Sequence, residues 1–231
     1  MAASDQQKKR ELLKRVALFE GISDEDLDQL VPLLRFRKCV RGQSVVEVDM
    51  PGHSLYMISN GELKVTIQRD EKEVILTLLG SGDFFGEMAL LDGKGRSANV
   101  VCLRASDLYE LSREDFLRYV EAHPRALINI LQHLTERLRN SNTIISNLTL
   151  LDVYGRVARF FMTLAEEEGE AVEAGILLRK PPSQQQMAGM LGTSRETVNR
   201  VIAEFVQQGI LQKDGRQLVI TSEALLAQQV Q

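Results

Sequence analysis

Residues 182–221 read PSQQQMAGMLGTSRETVNRVIAEFVQQGILQKDGRQLVIT, and several features of this stretch agree on one local fold. Met187, Ala188 and Leu191 recur at helical spacing. The turn Leu191-Gly192-Thr193 follows, and Thr193 or Ser194 opens a second periodic run through Val198, Ile202 and Phe205. Gly209 ends that run. Ile210-Leu211-Gln212 and residues 217–221 then flank Lys213-Asp214-Gly215-Arg216, where an Asp-Gly pair predicts a β-hairpin. Two helices held at an angle by facing apolar stripes, followed by a hairpin, make a winged helix-turn-helix. The free face of the second helix presents Arg195, Glu196, Asn199 and Arg200 near its N-terminal end, the part that meets base edges in a major groove. Arginine reads the acceptor edge of guanine, and glutamate accepts from cytosine. Ser183, Gln184 and Ser194 at the helix starts, with Lys213 and Arg216 on the wing, complete the candidate DNA-contacting set. A plain helical hairpin with solvated charges would not bring turn, apolar faces, polar edge and wing into agreement.

Upstream, Pro181-Pro182-Ser183 introduces the first of these helices, and the acidic, glycine-bearing residues 166–175 read as a loop. Asp152 caps a helix predicted over 153–168. The domain boundary is expected near residues 147–152, giving an N-terminal domain of 1–147 and a DNA-binding domain of 148–231. A long helix (about 124–147) closes the first, Pro124 suiting its first turn. Leu127, Leu131, Leu134, Leu138, Ser141, Ile145 and Leu148 alternate spacings of four and three, a heptad seam that predicts a parallel homodimer. Packing of the same stripe on the chain's own N-terminal domain is the other reading. Ser141, a hydroxyl on an apolar seam, needs a partner, either the second helix or a ligand.

From residue 35 to 111 the pattern becomes β-like. Runs at 44–48, 55–59, 63–68, 74–79, 98–103 and 107–111 are separated by glycines, as in an antiparallel roll with tight turns. Ahead of it Ser23 caps a short helix through Leu27, Leu30 and Leu34. The fold class is therefore α+β: an N-terminal β-roll, a long dimerisation helix and a C-terminal winged helix-turn-helix.

Within the roll, residues 80–100 read GSGDFFGEMALLDGKGRSANV. Gly86 lets backbone approach a ligand, and the N–H groups of residues 86–89, from Gly86 through Met88 to Ala89, can receive an anion. Glu87 only accepts hydrogen bonds and so suits a sugar hydroxyl, whereas Arg96 neutralises a phosphate and Ser97 donates to it. Together they describe a sugar phosphate; singly, each is an ordinary turn or surface residue.

Composition limits the alternatives. A chain of 231 residues with 44% hydrophobic and 26% charged residues has material for two modest domains. Its net charge of −4 argues against indiscriminate coating of nucleic acid, yet residues 179–216 hold six basic against three acidic residues, a local excess of +3. No apolar run approaches the roughly 18 residues of a membrane span, and no signal peptide opens the chain, so a cytoplasmic location is expected. Cys39 and Cys102 read as buried thiols. With His53, His123 and His133 they form no metal-ligand spacing, so no metal is assigned, and nothing pairs a base with a nucleophile as an enzyme would.

Residues 85–100 resemble the phosphate-binding cassette of cyclic-nucleotide-binding domains, Phe-Gly-Glu-(Leu/Met)-Ala-Leu and then Arg-Ser/Ala-Ala-x-Val, with Asn99 the one unusual residue. Residues 192–200 are similar to the Gly-x-Ser-Arg-Glu-Thr-Val-x-Arg signature of the Crp/Fnr superfamily, and residues 151–158 match its Leu-Asp-Val-x-Gly-Arg-Val-Ala string. The resemblance covers nearly the whole chain. It implies that Glu87 holds a ribose 2′-hydroxyl, that Arg96 holds a cyclic phosphate, and that Ser141 and Asn142 contact adenine, one of them from the partner subunit. Cyclic AMP is the implied ligand, with cyclic GMP left open. Arg195, Glu196 and Arg200 are expected to read a TGTGA-like half-site and its inverted repeat in double-stranded DNA, with RNA polymerase a further partner. Relatives that sense redox state or gases through iron–sulfur clusters or haem are a competing reading that two cysteines do not favour. A non-DNA cyclic-nucleotide module would leave residues 183–221 without a purpose.

Overall fold

The computed structural model describes residues 2–70 and 72–230, so Met1, Glu71 and Gln231 lie outside the described residues. The chain forms two compact units that part within the long helix, between Leu138 and Arg139. The sequence reading placed the division at that helix's end.

In the first unit, helices α1 (Ala2–Arg15) and α2 (Asp24–Leu30) precede eight strands: β1 (Arg35–Cys39), β2 (Ser44–Val46), β3 (Ser54–Asn60), β4 (Leu63–Arg69), β5 (Lys72–Leu79), β6 (Phe84–Phe85), β7 (Asn99–Cys102) and β8 (Ser106–Ser112). A short helix, α3 (Glu87–Asp92), lies between β6 and β7, and α4 (Arg113–Ala122) and α5 (Pro124–Leu150) follow. The Ser23 hydroxyl accepts the Asp26 N–H at 3.2 Å to start α2, behind three acids that suit the helix's positive end. The strands make two four-stranded antiparallel sheets, ordered β1-β8-β3-β6 and β2-β7-β4-β5. One core fills the roll with Val45, Val46, Ile58, Leu63, Phe85, Val100 and Leu108, and a second joins sheet residues such as Leu55 and Met57 to Leu12, Leu13, Phe116 and Ile130 of the helices. Cys39 and Cys102 are free, buried and part of the same roll core, where burial pushes the Cys102 thiol up.

The second unit contains α6 (Val153–Glu168), β9 (Glu170–Val172), β10 (Gly175–Leu178), α7 (Gln184–Leu191), α8 (Arg195–Gln207), β11 (Leu211–Asp214), β12 (Gln217–Ile220) and α9 (Glu223–Gln228). Asp152 caps α6, its carboxylate accepting the Gly155 N–H at 2.8 Å. The expected loop at 166–175 is corrected here. Helix α6 runs through its first residues, and β9 pairs with β10 to extend the sheet β11-β12-β10-β9. All three β9 residues are exposed, so backbone pairing holds the strand and no alternation of side chains betrays it. The wing is corrected in detail: Asp214 pairs with Gln217, which makes the two-residue loop Gly215-Arg216, with Gly215 at φ +59°. Among the described residues no helix is long and apolar enough to cross a membrane, and no cluster of three or more potential metal ligands occurs.

Candidate functional site

The first site is a cavity in the roll lined by Val65, Phe85, Gly86, Glu87, Met88, Ala89, Arg96, Ser97 and Arg137. Gly86 precedes α3 with φ +93°, and a Cβ there would lie 2.4 Å from Arg96 Nη1 and 2.9 Å from the Ser54 carbonyl, so glycine is required both by conformation and by space. Arg96 is buried. Its Nη1 donates to Gly86 O at 2.9 Å and its Nη2 to Ser54 O at 2.8 Å, and the guanidinium stands 5.8 Å from the Tyr56 ring centroid. Burial lowers the guanidinium from its ordinary value, and Tyr56, Glu87 and Glu110 draw it back up.

Glu87 is fully buried. Its Oε1 accepts from Arg137 Nη1 at 2.7 Å, while Oε2 has no hydrogen-bond partner. A carboxylate oxygen can only accept, so the unmatched atom is open to a donor such as water or a ligand hydroxyl. Ser97 and Met88 are exposed at the rim, the hydroxyl 3.6 Å from the Met88 sulfur, whereas Ala89 is buried. Arg137, on α5, was absent from the sequence-derived site; its signal is its place one turn before Ser141 on the same helix. His133, a further turn back, tilts over Phe84 at 4.4 Å between ring centroids, and its Nε2 is buried without a partner.

The second site is the outer face of the helix-turn-helix. Met187, Ala188 and Leu191 pack with Val198, Val201, Ile202 and Phe205, Val201 adding to the expected set. Gly192 takes the left-handed conformation that turns the chain between α7 and α8. The hydroxyls of Ser183 and Ser194 serve as caps, accepting from Gln186 N at 3.3 Å and Thr197 N at 3.1 Å. Arg195, Glu196, Asn199 and Arg200 are all exposed on α8, and Gln184 Nε2 donates to Asn199 Oδ1 at 2.9 Å. Backbone N–H bonding at its own position, then the Ser194 hydroxyl and Arg195, hold the Glu196 carboxyl low. Lys213 and Arg216 are exposed on the wing.

Residues 36–123 match the cyclic nucleotide-binding domain family, and residues 155–229 match the Crp-like helix-turn-helix domain. The cAMP-activated global transcriptional regulator CRP of Haemophilus influenzae is 32% identical over 199 residues, spanning 85% of this chain and 88% of the relative. This chain belongs to the Crp family of transcription regulators. The CRP-like cAMP-activated global transcriptional regulator of Mycobacterium tuberculosis is 28% identical across 94% of this chain and 97% of its own. Among solved structures, the c-di-GMP-responsive global regulator CLP of Xanthomonas campestris aligns with a TM-score of 0.74 at 26% identity, covering 87% of this chain and 100% of that one.

The Crp-family fold thus gathers Gly86, Glu87, Met88, Ala89, Arg96 and Ser97 around one cavity. Ser141 and Asn142 are exposed residues of α5 that belong to the second compact unit. As a member of this family the chain is a DNA-binding transcription regulator that carries a cyclic nucleotide-binding domain.

Proposed function

We propose that this regulator works as a homodimer whose affinity for an inverted-repeat DNA site is set by cyclic AMP bound in the roll. The observation that carries the ligand is Glu87 Oε2, buried, without a partner and beside Arg96. A ribose 2′-hydroxyl supplies the missing donor. The cyclic phosphate takes Arg96 from its two carbonyl acceptors, because a charge-assisted bond outweighs a neutral one, and Ser97 with the backbone at Met88 and Ala89 completes the phosphate site. Ser141 and Asn142 are the proposed purine contacts, carried over from the family pattern. Two relatives whose names state cAMP activation support cyclic AMP.

The dimer rests on the seam. Leu127, Leu131, Leu138, Ile145 and Leu148 of α5 are each at least 41% exposed, a row of large apolar side chains that a second copy would cover. Ligand binding would favour one register of the paired helices, and so the spacing of about 34 Å at which two recognition helices enter successive major grooves. Arg195, Glu196 and Arg200 would read the half-site, Asn199 and Gln184 would flank it, and Lys213 and Arg216 would meet phosphates. The protein would act in the cytoplasm, with RNA polymerase, by binding and without catalysis.

Calorimetric titration of nucleotide-free protein with cyclic AMP, cyclic GMP and cyclic di-GMP tests the ligand, with Arg96→Ala as control. Cyclic AMP binding that is lost in the variant and that tightens binding to a TGTGA inverted repeat is expected. Binding of cyclic di-GMP instead, the nucleotide to which the Xanthomonas regulator responds, overturns the choice of ligand.

A further inference from the structure

Asn99 occupies the open position of the Arg-Ser-Ala-x-Val string. The backbone ladder between β2 and β7 ends at the pair Val46–Val100, and beyond it Asn99 Oδ1 accepts the Val48 N–H at 2.9 Å. A side chain therefore replaces the next ladder acceptor, directly before Asp49, which is held at φ +65° where L residues are uncommon. From that point segment 48–54 wraps Arg96. Asp49 N donates to Arg96 O and Arg96 N to Met50 O, each at 2.9 Å, and Pro51 forms a β-bridge with Gly95. Ser54 O receives Arg96 Nη2 at 2.8 Å.

The fit is tight at two glycines. A Cβ on Gly95 would stand 2.7 Å from Asp49 O, and one on Gly52 would stand 2.4 Å from the Ala89 Cβ and 3.0 Å from Arg96 Nε. One segment thus fixes both main-chain groups of Arg96 and one arm of its guanidinium. We propose that Asn99 is a positioning residue: it latches segment 48–54 onto the loop carrying Arg96 and Ser97, and the latch sets how tightly a nucleotide phosphate is held. This rests on the reading that Arg96 takes the phosphate.

The test is calorimetric titration of the full chain with cyclic AMP, cyclic GMP and cyclic di-GMP, below the unfolding transition. Asn99→Ala should weaken whichever nucleotide binds by about tenfold, the equivalent of one hydrogen bond, and Asn99→Asp, which keeps an acceptor, should restore most of it. Gln43→Ala separates positioning from general support. It removes a comparable side-chain bond, Val40 N–H to Gln43 Oε1 at 3.0 Å, at the other end of β2. It should lower the melting midpoint much as Asn99→Ala does while leaving nucleotide affinity within about twofold. Unchanged affinity in Asn99→Ala, failure of Asn99→Asp to restore it, or an equal loss in Gln43→Ala overturns the proposal. If the unaltered protein binds none of the three nucleotides, the phosphate reading of Arg96 falls and takes the proposal with it, an outcome visible before any variant is made.

Discussion

Removing Arg137 should destabilise the N-terminal unit mainly by stranding a carboxylate. Glu87 has 0% side-chain exposure and Arg137 31%, with 2.7 Å between Oε1 and Nη1. Breaking a buried ion pair by deleting one partner costs about 3–5 kcal/mol, and the partial exposure of Arg137 puts the expectation at the lower end, about 3 kcal/mol. For a unit of this size that is a fall on the order of 10 °C in Tm. The chain has no tryptophan and four tyrosines, three of which (Tyr56, Tyr109, Tyr119) lie in the first unit, so tyrosine fluorescence follows that unit. The decisive comparison is Arg137→Ala against Glu87→Gln/Arg137→Ala. Both variants lose everything else Arg137 does, so the difference between them reads the removal of the Glu87 charge, net of its attraction to Arg96, and the double variant should recover about 2 kcal/mol. If the two unfold together, or if Arg137→Ala costs less than about 0.5 kcal/mol, the Glu87 carboxylate is solvated and its second oxygen is not left unmatched.

Leu131→Glu with Leu138→Glu should yield a monomer in sedimentation experiments and abolish tight binding to the inverted repeat; a persistent dimer would place the subunit contact elsewhere. Arg200→Ala should cost about 1–3 kcal/mol and relax preference at one base pair, measured by anisotropy on single-substituted sites, and an equal loss on every sequence would reduce Arg200 to a phosphate contact. Burial, then the Arg137 charge, holds His133 below its ordinary 6.5, with Glu87 and Asp83 pulling the other way. The unfolded chain therefore binds more protons below pH 6.5, and stability falls as pH drops through that value until the folded imidazole itself titrates. His133→Gln should flatten that part of the Tm–pH curve, and an unaltered slope would mean that other groups produce it.

What could be read from residues alone was the grouping of side chains that lie close together in the chain. Gly86, Glu87, Arg96 and Ser97 fall within one short stretch, and the facing stripes of α7 and α8 are separated by a single glycine turn. What escaped was held by partners far off in sequence or by backbone alone. Arg137 meets Glu87 across fifty positions. Strand β1, RFRKC, has mostly exposed or half-exposed charged residues and is defined by its ladder with β8. Strand β9 buries none of its side chains. The Asp-Gly pair predicted the wing but not its centre, because only the observed pairing of Asp214 with Gln217 fixes which two residues turn. Asn99 stood out as unusual without a reason; the reason is the Val48 N–H, more than fifty residues earlier.

The two carbonyls that hold Arg96 bear on a demand peculiar to signalling, which is silence in the absence of the signal. A cell is full of small anions that would settle on a bare guanidinium. Here the guanidinium already donates to Gly86 O and Ser54 O, so an incoming anion gains only the margin between those bonds and its own. Inorganic phosphate brings that margin and nothing else. A molecule that joins its anion to a hydroxyl would also answer the unmatched oxygen of Glu87, and the two gains would fall to one ligand in one event. On the proposed reading of the site, the tether on Arg96 would work as a threshold, passing over commonplace ions while leaving the response to a two-handed messenger intact.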